Sequence, residues 1–67
     1  MSHVILYVGM DRVHALRCVR AARAIKAQVG FTNAGVDGSD GTLRHYTVIA
    51  YGQPQEKLET LWKEMNP

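Results

Sequence analysis

A chain of 67 residues with a single cysteine, Cys18, cannot be held together by an internal disulfide, nor by a zinc site built on paired thiolates. That constraint decides more than any other what it can fold into. In a domain this short, apolar burial exceeds the ordering entropy of the chain only narrowly, and natural domains of this size commonly add a disulfide, a metal or a second subunit. The first is excluded here and the second finds no ligand set below, so homo-oligomerisation is the expected supplement. There is room for one domain, residues 1–67, and the lone thiol fits a reducing cytoplasm. An apolar share of 46% with a net charge of +2 excludes a globally disordered chain. The longest apolar run, Val4-Ile5-Leu6-Tyr7-Val8, is far short of the ~18 residues a membrane span needs, and it lacks the basic n-region of a signal peptide. No membrane association is expected.

Patterning predicts the order β-α-β-β-α. Residues 3–8 are β-branched and aromatic and apolar on both alternating faces, which predicts an interior strand covered on both sides. Asp11 is the candidate N-cap of a helix over 12–29, with Gly30 as its C′ residue. At 100° per residue, Ala15, Cys18, Val19, Ala22, Ile25 and Val29 share one face of that helix. Residues 31–36 read as an edge strand, and Asp37-Gly38-Ser39-Asp40-Gly41 as a turn. A further strand spans 42–51, with Leu43, His45, Thr47, Ile49 and Tyr51 on one side and Thr42, Arg44, Tyr46, Val48 and Ala50 on the other. Pro54 opens a last helix over 54–65, whose Leu58, Leu61, Trp62 and Met65 form an apolar stripe, with Glu59 and Lys63 paired on its solvent side.

The fold class is therefore α+β: a two- to three-stranded sheet packed with two helices. The helices either share one face of the sheet or take one face each. In the first case Ile5, Tyr7 or their neighbours, with Tyr46 and Val48, lie on an open apolar face, and such a patch marks a contact with a partner or a second copy. Tyr46 and Val48 are accordingly the candidate self-association residues.

Charge is concentrated. Five of the eight cations, Arg12, Arg17, Arg20, Arg23 and Lys26, fall in residues 12–26 without one acid among them. On the helical projection the arginines spread over the face opposite the proposed core, and Leu16, Val13 and Ala24 sit among them. A face that served only solvation would carry polar residues there. Guanidinium forks interspersed with short apolar contacts suit an acidic protein or a nucleic acid, while the bland alternative is a solvated face whose arginine stems cover Leu16. Arg12, Leu16, Arg17, Arg20 and Arg23 are the candidate partner-binding residues.

Other chemistry finds little footing. His3, His14 and His45 have no metal-ligand spacing, and the Asp37–Gly41 run lacks the third oxygen ligand and closing glutamate of a calcium loop, so neither a metal nor a cofactor is expected. Cys18 falls on the apolar side of the first helix, where a thiol behaves as an inert hydrophobe. A single Gly9 before Met10 and Asp11 does not make a phosphate-binding loop, and Ser2 and Ser39 have no base and orienting partner. Trp62 fits the core stripe of the last helix. The expectation is a small cytoplasmic, non-enzymatic interaction or regulatory protein that meets an acidic protein partner through its arginine face and self-associates. The alternative is a nucleic-acid-binding regulator using the same helix, although no helix-turn-helix, zinc-finger or aromatic RNA-binding pattern accompanies it.

Overall fold

The computed structural model describes residues 2–35 and 44–67. Five elements follow in the expected order: β1 (His3–Gly9), α1 (Arg12–Ala24), β2 (Gln28–Gly35), β3 (Arg44–Tyr51) and α2 (Gln55–Met65). The turn read over Asp37–Gly41 lies outside the described residues, as do Val36, Thr42 and Leu43. The sheet order is β1-β3-β2, and β3 pairs antiparallel with both neighbours. β1 and β2 thus run parallel to each other with β3 inserted between them, a split β-α-β unit closed by the second helix.

Both helices cover the same face of the sheet. Leu6, Tyr46, Val48 and Ala50 from that face join Ala15, Cys18, Val19 and Ala22 of α1 and Leu58 and Leu61 of α2 in one core. α1 lies over all three strands and α2 over β1. The core is built largely of small side chains on α1, which lets that helix lie close to the sheet, while the larger Leu58 and Leu61 fill the α2 side. Burying each of those leucines contributes on the order of 2 kcal/mol.

Three sequence expectations are corrected. The first helix ends at Ala24 rather than 29, because the chain turns through a left-handed residue, Lys26 at φ 59. The Lys26 N–H donates to the Arg23 carbonyl at 2.9 Å and the Ala27 N–H to the Ala22 carbonyl at 3.0 Å. These are the two bonds of a Schellman stop, with Lys26 in the position where glycine was sought. Gly30 instead lies within β2, opposite Ile49, and Val29 packs against the core from a strand. Second, β1 is an edge strand rather than an interior one. Its register slips between Ile5 and Tyr7, pairing Ile5 with Ile49 and Tyr7 with Val48, so that Leu6 is the extra residue of a bulge. The bulge places Leu6 and Tyr7 together on the helix side and leaves Ile5 and Val8 on the other. That, not two-sided cover, is why 3–8 reads as continuously apolar. The free Leu6 carbonyl accepts from Asn66 Nδ2 at the end of α2, at 3.2 Å. Third, Tyr46 and Val48 do not lie on the open face; they are 7% and 0% exposed beneath the helices. The opposite parity, Thr47, Ile49 and Tyr51, looks outward.

Candidate functional site

The surface that presents the arginines is held at both ends of α1. At its start, the Asp11 carboxylate accepts from the His14 N–H at 3.2 Å, as the N-cap reading requires. The Asp11 N–H in turn donates to the Tyr7 hydroxyl at 2.9 Å. The Tyr7 ring also packs on His14, with centroids 4.7 Å apart. Gly9 makes this possible, since a Cβ there would stand 2.5 Å from the Tyr7 hydroxyl oxygen. At the far end, Gln53 Nε2 donates to the carbonyls of Ile25 and Lys26 at 3.0 and 3.1 Å. The helix is thereby tied to β1 at one end and to the turn after β3 at the other.

Between these ties, Ala15, Cys18, Val19 and Ala22 point into the core, and helical geometry sends the remaining arc to solvent. Arg12, Leu16, Arg17, Arg20 and Arg23 are all exposed on that arc. Arg12 and Arg23 stand about 16 Å apart along the axis at 1.5 Å per residue. Val13 and Leu16, 62% and 40% exposed, line a depression of ≈ 300 Å³ together with Arg17 and Arg20. The five candidate residues therefore belong to one continuous face.

This face works against the stability of its own helix. Arg12 occupies the first turn, where the helix dipole disfavours a cation, and that turn carries no acid. Arg17, Arg20 and Arg23 follow at three-residue intervals, close enough to repel, and each such pair costs a few tenths of a kcal/mol. Only Arg23, in the last turn, is favourably placed with respect to the dipole. The exposed Val13 and Leu16 add apolar area that packing does not use. Where a helix breaks local rules this way without a structural return, the residues are candidates for contact with something else.

The remaining candidates sort differently. Cys18 is fully buried, and burial pushes its thiol up from the ordinary range, which leaves little thiolate at neutral pH. Among the described residues no three His, Cys, Asp or Glu side chains gather into a metal-holding cluster, and no helix is long and apolar enough to cross a membrane. Tyr46 is a core residue whose ring tilts against Phe31 at 5.9 Å. Trp62, expected in the core, is 42% exposed; Leu58, Leu61 and the half-buried Met65 suffice to cover β1, leaving the indole on the flank of the stripe. A second depression, ≈ 410 Å³, lies between Ile25 and the Glu56, Lys57, Thr60, Leu61 and Glu64 flank of α2. Its rim mixes both charges and gathers no reactive group. Sequence reasoning placed Ile5 on the open face but joined it to Tyr46 and Val48 instead of the outward Ile49 and Tyr51, because both parities of β3 carry apolar residues and alternation by itself does not say which is covered. No protein-family model, curated protein or solved structure matches the chain.

Proposed function

We propose that this chain is a non-enzymatic interaction module, with a regulatory role in a reducing cytoplasm, whose α1 face docks an acidic, partly apolar segment of a protein partner. One observation carries the reading: four arginines and the exposed Val13 and Leu16 share a face that costs the helix stability and buries nothing. Guanidiniums match carboxylates bidentately, and the Val13–Leu16 depression accepts an aliphatic side chain set between two acids. A protein segment fits better than a nucleic acid on two grounds. Apolar side chains stand where a phosphate backbone would want further cations, and the neighbouring helix sets exposed Glu56, Glu59 and Glu64 against Lys57 and Lys63, so it adds no positive field for a long polyanion.

The test is titration of a fluorescent peptide alternating Glu with Leu, beside single-stranded RNA and duplex DNA of matched length, at low and physiological salt. The reading expects peptide binding that an Arg12→Glu/Arg20→Glu/Arg23→Glu variant loses at least tenfold, and that Leu16→Ala weakens without changing its salt dependence. Tighter binding of the nucleic acids with a steep salt slope makes the partner a nucleic acid instead. Equal peptide binding by wild type and the reversed variant removes the arginine face from the site.

A further inference from the structure

We propose that the open face of the sheet docks a second copy of this chain, face to face, about a two-fold axis running parallel to the strands. This inference is independent of the arginine reading and uses the opposite side of the molecule. Two properties of the face favour a copy of itself, and a third sets the strength of the contact.

Among the described side chains it carries no formal charge. β1 and β2 contain no Asp, Glu, Lys or Arg, and none stands at residues 45–51 of β3. The charged side chains that are described belong to the helices and the turns beside them. A neutral surface offers an ordinary charged partner nothing to pair with, whereas a second neutral surface leaves no charge buried without a counterion.

Its relief is self-complementary. The register aligns Ile5, Ile49 and Gly30 in one row across the sheet, and Val8, Thr47 and Thr32 in another. Ile5 and Val8, 47% and 62% exposed, rise at the β1 edge. Gly30 leaves a gap at the β2 edge; a Cβ there would stand 3.9 Å from Ile49 Cβ, in ordinary contact, so the backbone does not require glycine for space. A two-fold axis along the strands lays β1 of one copy over β2 of the other. Each Ile5 then enters the gap at the partner copy's β2 edge, and Ile49 meets its own image on the axis. An isologous contact requires this reciprocity, and aligned sheet packing supplies the geometry.

Its area suits reversible association. Three strands about 4.8 Å apart, each about eight residues long at about 3.4 Å, offer a footprint near 400 Å² per copy, so about 800 Å² for the pair. Standard stable interfaces bury about 1,200–2,000 Å², which puts this dimer in the weak class, forming at high micromolar concentration.

Sedimentation from about 10 µM to about 1 mM covers that weak range and should show a monomer–dimer equilibrium. Ile5→Lys, or Val8→Lys should the first variant fail to fold by circular dichroism, should raise the dissociation constant at least tenfold. Arg20→Glu should leave it unchanged, although the same substitution weakens the acidic peptide. The axis is tested by oxidising an equimolar mixture of Ile5→Cys and Gly30→Cys, each in a Cys18→Ala background. The mixed disulfide should exceed both like-with-like products. Preferential Ile5→Cys self-linking overturns the axis. A monomer at every concentration, or a dimer indifferent to both lysine substitutions, overturns the interface.

Discussion

Gln53 is the residue whose removal should be felt furthest from where it sits. Its amide nitrogen donates to two carbonyls across the fold, Ile25 O at 3.0 Å and Lys26 O at 3.1 Å, the first part-buried and the second exposed. Both belong to the turn in which Lys26 holds a left-handed φ of 59. Replacing Gln53 with Ala removes both donors. The part-buried bond contributes about 1 kcal/mol and the exposed one, for which water substitutes, a few tenths, so the expected loss is about 1–1.5 kcal/mol. In a domain of this size that lowers the melting temperature by about 5–10 °C. Urea unfolding followed by the Trp62 fluorescence and by far-ultraviolet circular dichroism measures it, and the slope of the transition should not change. Gln53→Glu sharpens the test. At neutral pH its carboxylate faces two carbonyl oxygens at the negative end of α1 and has no proton to donate, so the variant should be less stable than Gln53→Ala. Its folded pKa is then raised above the unfolded one. Stability relative to wild type is therefore recovered below the ordinary glutamate range and lost as pH rises through the raised value. A loss under about 0.3 kcal/mol for Gln53→Ala, or a Gln53→Glu variant insensitive to pH between about 4 and 7, refutes the claim that this amide holds the end of α1.

Lys26→Gly relieves the left-handed backbone and should stabilise the domain by about 0.5–1 kcal/mol in the same urea assay, whereas a decrease would show that the Lys26 side chain outweighs its backbone cost. Gly9→Ala should cost about 1–2 kcal/mol, since its Cβ would stand 2.5 Å from the Tyr7 hydroxyl and drive the ring off the Asp11 N–H. Tyr7→Phe should then cost about 1 kcal/mol in wild type and nearly nothing in the Gly9→Ala background, and equal costs in both would break the link. Because burial pushes the Cys18 thiol up, the unfolded chain releases that proton at lower pH than the folded one. The contribution of Cys18 is intact below the ordinary thiol range and declines as pH rises through it, by at most about 1.4 kcal/mol per pH unit, a slope that Cys18→Ala should lack. A thiol reagent should label Cys18 only at the rate of unfolding, and rapid labelling of the folded chain would contradict its burial.

Local patterning carried much of the architecture. The element order, the Asp11 cap, the α1 core face from Ala15 to Ala22 and the Leu58–Leu61 stripe are all readable from the residues, because each depends on neighbours within a turn or two of chain. The exposure of Arg12, Leu16, Arg17, Arg20 and Arg23 was legible for the same reason: once a helix face is assigned to the core, the opposite arc is determined by 3.6-residue geometry. The end of α1 was not, because a left-handed lysine is disfavoured locally and is held by Gln53, 27 residues away. Nor was the exposure of Trp62, which depends on how much of α2 the narrow strip of β1 can cover.

What the sequence determined by itself was a small α+β domain with one basic helix and no thiol staple, since composition, spacing and charge placement are properties of the chain. Which side of the sheet is covered was decided only by the tertiary structure. β3 offers apolar residues on both parities, and β1 changes parity at its bulge, so no local pattern distinguishes them. The choice falls to the packing of both helices on one face, which buries Tyr46 and Val48 and turns Ile5, Val8, Ile49 and Tyr51 outward. The small size of the domain raised the expectation of a partner; the open sheet face on which we place a second copy exists only once the helices have chosen a side.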